Sequence, residues 1–150
     1  MGKSVAMTVG DDVQMAGGIL QTCTGIVSGI EAAIHGMARI FKLETTEGVL
    51  LIDAENAFNL LRRKSSLVYI QHKCPPLYKF LHNTYQEPSR LHLGDGDASP
   101  ILSQEGVTQG DPLAMAMYAV STRIIDSLHN NIPYLSQVWF ADDSAVGDEI

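Results

Sequence analysis

Three aspartates stand where they could do chemistry together. Leu50-Leu51-Ile52 runs directly into Asp53, and Val138-Trp139-Phe140-Ala141 runs into Asp142-Asp143, so two apolar stretches each end on carboxylate. Carboxylates crowded at one place repel one another unless a cation neutralises them, and hard divalent ions such as Mg²⁺ take oxygen ligands of this kind. A pair of such ions about 3.5–4 Å apart can activate an attacking oxygen and stabilise a leaving one in phosphoryl transfer. If the two stretches are neighbouring strands, three carboxylates converge at one rim and a two-metal site is the expected chemistry. Taken alone, Asp142-Asp143 reads more simply as the tip of a hairpin, where Asp is common.

The elements that must position these residues follow from apolar spacing. Ile26 to Leu43 places apolar residues at intervals of three and four, which predicts a helix. Gly48 to Asp53 predicts a short, fully buried strand. Asn56 to about Lys73 is helical by propensity, and Cys74-Pro75-Pro76 stops that helix and starts another that runs to about Tyr85. Arg90–Leu93 and Ser99–Gln104 predict a hairpin turning through Gly94-Asp95-Gly96-Asp97. Pro112 to His129 predicts one long apolar helix, and Gln137–Phe140 with Ser144–Val146 predicts a closing hairpin through Asp142-Asp143. The order implies an α+β fold in one continuous unit, a small antiparallel sheet with helices packed on one face.

Charge narrows the function classes. The 150 residues hold 10 Lys and Arg against 17 Asp and Glu, a net charge of −7, the wrong sign for a protein that coats nucleic acid with its whole surface. Yet Leu60 to His92 carries six basic residues and one acid, which suits either a polyanion-facing surface or a solvated helix face at Arg62-Arg63-Lys64. Two cysteines, Cys23 and Cys74, far apart in sequence, exclude a disulfide framework and a CxxC metal half-site. No apolar run reaches the ~18 to 20 residues of a membrane span and the first residues lack a signal peptide's core, so an intracellular, nuclear or cytoplasmic protein is expected, with no membrane partner.

Three segments occur in a telling order. Leu50-Leu51-Ile52-Asp53-Ala54-Glu55-Asn56-Ala57-Phe58-Asn59, then Gln104-Glu105-Gly106-Val107-Thr108-Gln109-Gly110-Asp111-Pro112-Leu113, then Phe140-Ala141-Asp142-Asp143 resemble motifs A, B and C of the reverse transcriptase palm. Gln21 through Met37 is similar to the segment that precedes motif A in retroelement polymerases, so the resemblance covers nearly the whole chain. The alanine of Phe140-Ala141-Asp142-Asp143 is closest in style to non-LTR retrotransposon and group II intron enzymes.

The resemblance implies a polymerase palm fold and RNA-directed DNA polymerase activity, with two Mg²⁺ ions (Mn²⁺ as a substitute). The implied partners are an RNA or DNA template with its primer, and a dNTP. Asp53 and Asp142 match the metal-binding carboxylates, and Asp143 the second Asp of motif C. Ala54 would offer its backbone carbonyl to a metal. Phe58 occupies the steric-gate position, where a ring beneath the sugar excludes a 2′-hydroxyl, although a core aromatic is the plainer reading of Phe58 alone. Gln109 and Gly110 match the turn that contacts template and incoming nucleotide, and the same residues also read as an ordinary helix start. Basic fingers segments and a thumb are implied as further parts of a longer polyprotein, so the chain is expected to be a palm fragment, inactive by itself.

Other patterns are set aside. Gly10-Asp11-Asp12 spells a motif of RNA-directed RNA polymerases but in a permuted place, and reads as a loop or helix start. Gly2-Lys3-Ser4 lacks the glycine-rich loop of a phosphate-binding motif. The histidines show no zinc spacing, and Asp95 and Asp97 lack the other ligands of a calcium loop. Two alternatives stay open: a catalytically inactive palm remnant serving as a folded binding module, and an RNA-directed RNA polymerase, which Phe58 opposes.

Overall fold

The computed structural model describes residues 2–92 and 99–149. The first two helices, α1 (Gly2–Thr8) and α2 (Gly10–Gly17), are joined at Val9, whose N–H donates to the Val5 carbonyl while its own carbonyl accepts from Val13. Val5, Val9 and Val13 therefore fall four residues apart on one buried stripe. That stripe meets α5 (Arg63–Lys73) and α6 (Pro75–Tyr85) through Ile70, Leu77, Leu81 and Tyr85, and α7 (Ala114–Ser121) through Met117 and Val120. Ile70, Leu77, Leu81 and Met117 are fully shielded from solvent, so this helical cluster is the main core. Gly10-Asp11-Asp12 opens α2, the helix start expected of it, with both acids in the first turn where the helix dipole favours them.

The fold is α+β, as the element order predicts. β1 (Thr46–Asp53), β5 (Asp143–Glu149) and β4 (Leu135–Phe140) form an antiparallel sheet in the order β1-β5-β4. β2 (Ser89–Leu91) and β3 (Ile101–Ser103) form a separate antiparallel pair, and the turn expected at Gly94-Asp95-Gly96-Asp97 lies outside the described residues. Helix α3 (Gly29–Phe41) lies on one face of the larger sheet, where a Cβ at Gly147 would meet Ile40 and Met37. On the other face Gln137 donates to the Ile125 carbonyl of α8 (Arg123–Asn131), so helical cover is present on both sides.

Several expected elements differ in detail. β1 is an edge strand and not a fully buried one: Leu50 and Leu51 are 62% and 76% exposed, because only β5 flanks the strand, and on the Leu51 face α3 stands off the sheet across an apolar groove of about 760 Å³. The Asn56–Lys73 helix is two helices, α4 (Ala57–Leu60) and α5, parted by extended Leu61 and Arg62. There the Leu61 carbonyl accepts from the Gly106 N–H, a partner outside the helix. The long apolar helix is likewise two, α7 and α8, with the break at Thr122 (ψ 78). Ser121 and Thr122 turn their hydroxyls back onto the carbonyls of Met117 and Tyr118, which competes with the helical ladder.

Candidate carboxylate site and the loops around it

The sheet register brings two of the three aspartates together. Asp53 ends β1 directly opposite Asp143, the first residue of β5, and Phe140 pairs with Asp143 on the other side. Residues directly opposite share a face, with Cβ atoms about 4.5–5.5 Å apart. Both carboxylates are exposed, at the end of the sheet where the apolar groove beneath α3 opens.

Asp142 occupies a different position. It is the second central residue of the two-residue turn between β4 and β5 and is half-buried. Its charge is felt by the Cys23 thiol and the Tyr118 phenol. Burial chiefly pushes Cys23 up to about 11, with Asp142 adding to the rise against opposing backbone hydrogen bonds. Tyr118 is raised first by burial, then by Asp142 and Cys23. The expected convergence of three carboxylates is thus corrected to a facing pair with the third in the adjoining turn: among the described residues, no group of three or more His, Cys, Asp or Glu side chains is placed to hold one ion. The reason is the period-2 pleat, which gives one face to Asp53 and Asp143 while the turn carries Asp142 out of the ladder. Two carboxylates still suit Mg²⁺, which commonly binds one or two of them and fills its shell with water and substrate phosphates.

Ala54 follows Asp53 immediately, and Asn56 adopts a left-handed φ of 52° that Asn tolerates, turning the chain into α4. Phe58 on that helix is half-buried against the core, its ring stacked on Tyr118 with centroids 4.7 Å apart. Tyr118 therefore bridges Phe58 and the neighbourhood of Asp142. Phe58 thus packs against the core while part of its surface stays accessible.

The Gln104–Leu113 segment is fastened to α4 and to the residue that ends it, where the N–H groups of Val107 and Gly106 donate to the carbonyls of Phe58 and Leu61, both at 2.8 Å. Gly106 has φ 73°, and a Cβ there would collide with the Asn59 carbonyl, so the close approach demands glycine. Gln109 and Gly110 are exposed at the tip of the loop, with Gly110 at φ 90°. The Thr108 N–H donates to the Tyr85 hydroxyl, which donates to Asp111, and Asp111 in turn accepts from the Leu113 N–H at 2.9 Å. Burial and the Asp111 hydrogen bond raise the Tyr85 phenol, consistent with its role as donor.

Sequence reading missed the residues that organise this frame. Arg63, one of three consecutive basic residues, is 4% exposed and is no part of a solvated face. Its guanidinium donates to the carbonyls of Gly106 and Ser103 and to the Ser103 hydroxyl, and lies 5.1 Å from the centre of the Tyr85 ring. Its backbone N–H donates to Glu105 at 2.8 Å. Gln21, at 1% exposure, hydrogen-bonds the backbone of Ala141 in the Asp142 turn. Nothing in the spacing distinguishes Arg63 from Arg62 or Lys64, and a lone glutamine carries no periodic signal. Tyr85 was legible as the approximate end of its helix, its hydroxyl's role was not.

The chain matches no protein-family model, and a comparison with curated proteins finds no match. Among the described residues, no helix is long and apolar enough to cross a membrane.

Proposed function

We propose that the chain is the palm segment of a retroelement RNA-directed DNA polymerase, contributing to template-directed DNA synthesis by nucleotidyl transfer. The observation that carries this reading is the Asp53–Asp143 pairing at the end of the sheet, beside a turn that holds Asp142 and a helix that holds Phe58. The motif resemblance supplies the reaction class. The geometry supports it by joining the three motif segments: A to B through the hydrogen bonds of Gly106 and Val107, and A to C through the β1–β5 ladder, while the Phe58–Tyr118 stack ties motif A to the helix that follows motif B.

In this reading Asp53, Asp142 and Asp143 hold Mg²⁺ or Mn²⁺, with the Ala54 carbonyl as a further oxygen donor. Bound there, a pair of ions would activate the primer 3′-hydroxyl and stabilise departing pyrophosphate. The chain's own residues do the positioning, which is most of catalysis in phosphoryl transfer. Gln109 and Gly110 stand exposed at a loop tip braced by Tyr85 and Asp111, suited to contact template and dNTP. The Phe58 ring, held flat by Tyr118, limits the room beneath the sugar.

One observation favours a second reading, a folded palm module without catalysis: among the described residues no three acidic or metal-ligating side chains come together. Calorimetric titration with Mn²⁺ separates the two. The polymerase reading expects Mn²⁺ binding that weakens in Asp53→Asn and Asp142→Asn. Equal isotherms for wild type and both variants would leave the inactive module.

A further inference from the structure

We propose that Gln21 is a positioning residue for Asp142, acting through the backbone of Ala141, an inference that rests on the polymerase reading above. The Gln21 side chain is buried, and its carboxamide engages both backbone groups of one residue: Oε1 accepts from the Ala141 N–H at 2.8 Å, and Nε2 donates to the Ala141 carbonyl at 3.2 Å. Ala141 is the first central residue of the β4–β5 turn, so its polar groups have no partner in the strand ladder and would otherwise be orphaned in a buried place. It also adopts φ 56°, a left-handed conformation that an L-alanine keeps only when its surroundings hold it there.

The aim of Gln21 is set by its neighbours. Leu20, Gln21 and Thr22 run beside the open edge of β4 as a single parallel bridge at Trp139. The Trp139 N–H donates to Leu20 at 2.8 Å, and the Trp139 carbonyl accepts from the Thr22 N–H and hydroxyl at 2.7 and 2.9 Å. Those bonds suffice to attach the segment to the sheet. The Gln21 side chain reaches beyond them, past the end of the strand, to the residue immediately before Asp142. Fixing both peptide groups of Ala141 fixes the direction from which Asp142 leaves the turn. The same segment supplies Cys23, which together with Tyr118 lies within the influence of the Asp142 charge.

Loss of a partner that orients a metal ligand typically weakens metal affinity by about 10–100-fold. The test compares Mn²⁺ affinity by calorimetry in wild type, Asp142→Asn, Gln21→Met and Thr22→Val. Gln21→Met keeps the buried volume and removes both hydrogen bonds, whereas Thr22→Val removes one hydroxyl bond on the same segment without touching the turn. The expected result is about a tenfold loss for Gln21→Met and less than about a twofold change for Thr22→Val. Hydrogen exchange on the metal-free wild type adds a measurement that needs no variant to fold: the Ala141 amide should exchange as slowly as the β4–β5 ladder. If Asp142→Asn weakens Mn²⁺ but Gln21→Met does not, or if the Ala141 amide exchanges as fast as an open turn, the positioning role is overturned. If wild type and Asp142→Asn bind alike, it is the polymerase reading that fails.

Discussion

Replacing Gly106 by alanine should destabilise the protein far more than the same change at Gly110. Both residues have positive φ, 73° and 90°, so each alanine pays a left-handed backbone cost of about 1–2 kcal/mol, partly offset by a stiffer unfolded chain. The difference lies in what surrounds them. A Cβ at Gly110 meets nothing within 4 Å, whereas a Cβ at Gly106 strikes the Asn59 backbone, which cannot swing aside as a side chain can. Relief requires the Gln104–Leu113 segment to part from α4, breaking the hydrogen bonds from Gly106 to Leu61 and from Val107 to Phe58, each worth about 1 kcal/mol. The expected losses are about 3–4 kcal/mol for Gly106→Ala and about 1 kcal/mol for Gly110→Ala. Urea unfolding followed by the fluorescence of Trp139, the single tryptophan, measures both, since its 5% exposure makes it a sensitive reporter. Equal midpoints for the two variants, with unchanged slope, would refute the claim that backbone contact between the loop and α4 holds this frame.

Three other outcomes follow from the same frame. Arg63→Met should cost about 2–4 kcal/mol, because three acceptors lose a charged donor while the expense of burying a guanidinium is relieved. Arg63→Lys should recover only part of that, its single ammonium being unable to copy the fork; the urea midpoints of both variants decide it. Stability should fall at alkaline pH: Cys23, raised by burial from 9.0 to about 11, favours the folded state fully below pH 9 and loses that contribution as pH climbs through 11, with Cys74, Tyr85 and Tyr118 shifted in the same direction. Urea melts between pH 8 and 11 on wild type and Cys23→Ala should show the shallower decline in the variant. In a polymerase carrying this chain, Phe58→Val should raise kcat/KM for ribonucleotides relative to deoxynucleotides, and an unchanged ratio would leave Phe58 as a core aromatic only.

What the sequence made legible was whatever is written in local periodicity. The Pro75 helix start and the β4–β5 hairpin are set by neighbours a few residues away: the helix starts as expected, and the hairpin forms with its turn at Ala141-Asp142, one residue earlier than the expected Asp142-Asp143. The misses come from long-range partners. Leu50 and Leu51 look like a buried strand because their residue types are apolar, and only the sheet order reveals an edge. The helix breaks at Leu61–Arg62 and Thr122 depend on a distant N–H at Gly106 and on hydroxyls that choose the helix backbone over solvent. At the candidate site, the types of Asp53, Asp142 and Asp143 could be read directly. Which two would face each other could not, because that is fixed by the strand register at Asp53 and Asp143. Arg63 and Gln21, buried polar residues 42 and 120 positions from partners that define them, lay beyond any local pattern.

The central claim is that these carboxylates serve a metal-dependent reaction of deoxynucleotides, and equilibrium binding of a labelled dNTP with and without Mg²⁺ tests it most directly. The polymerase reading predicts retention of dNTP that requires the metal and is lost in Asp53→Asn, with Asp143→Asn, its partner across the ladder, weakened as well. Binding that ignores Mg²⁺, or that Asp53→Asn leaves untouched, would contradict it.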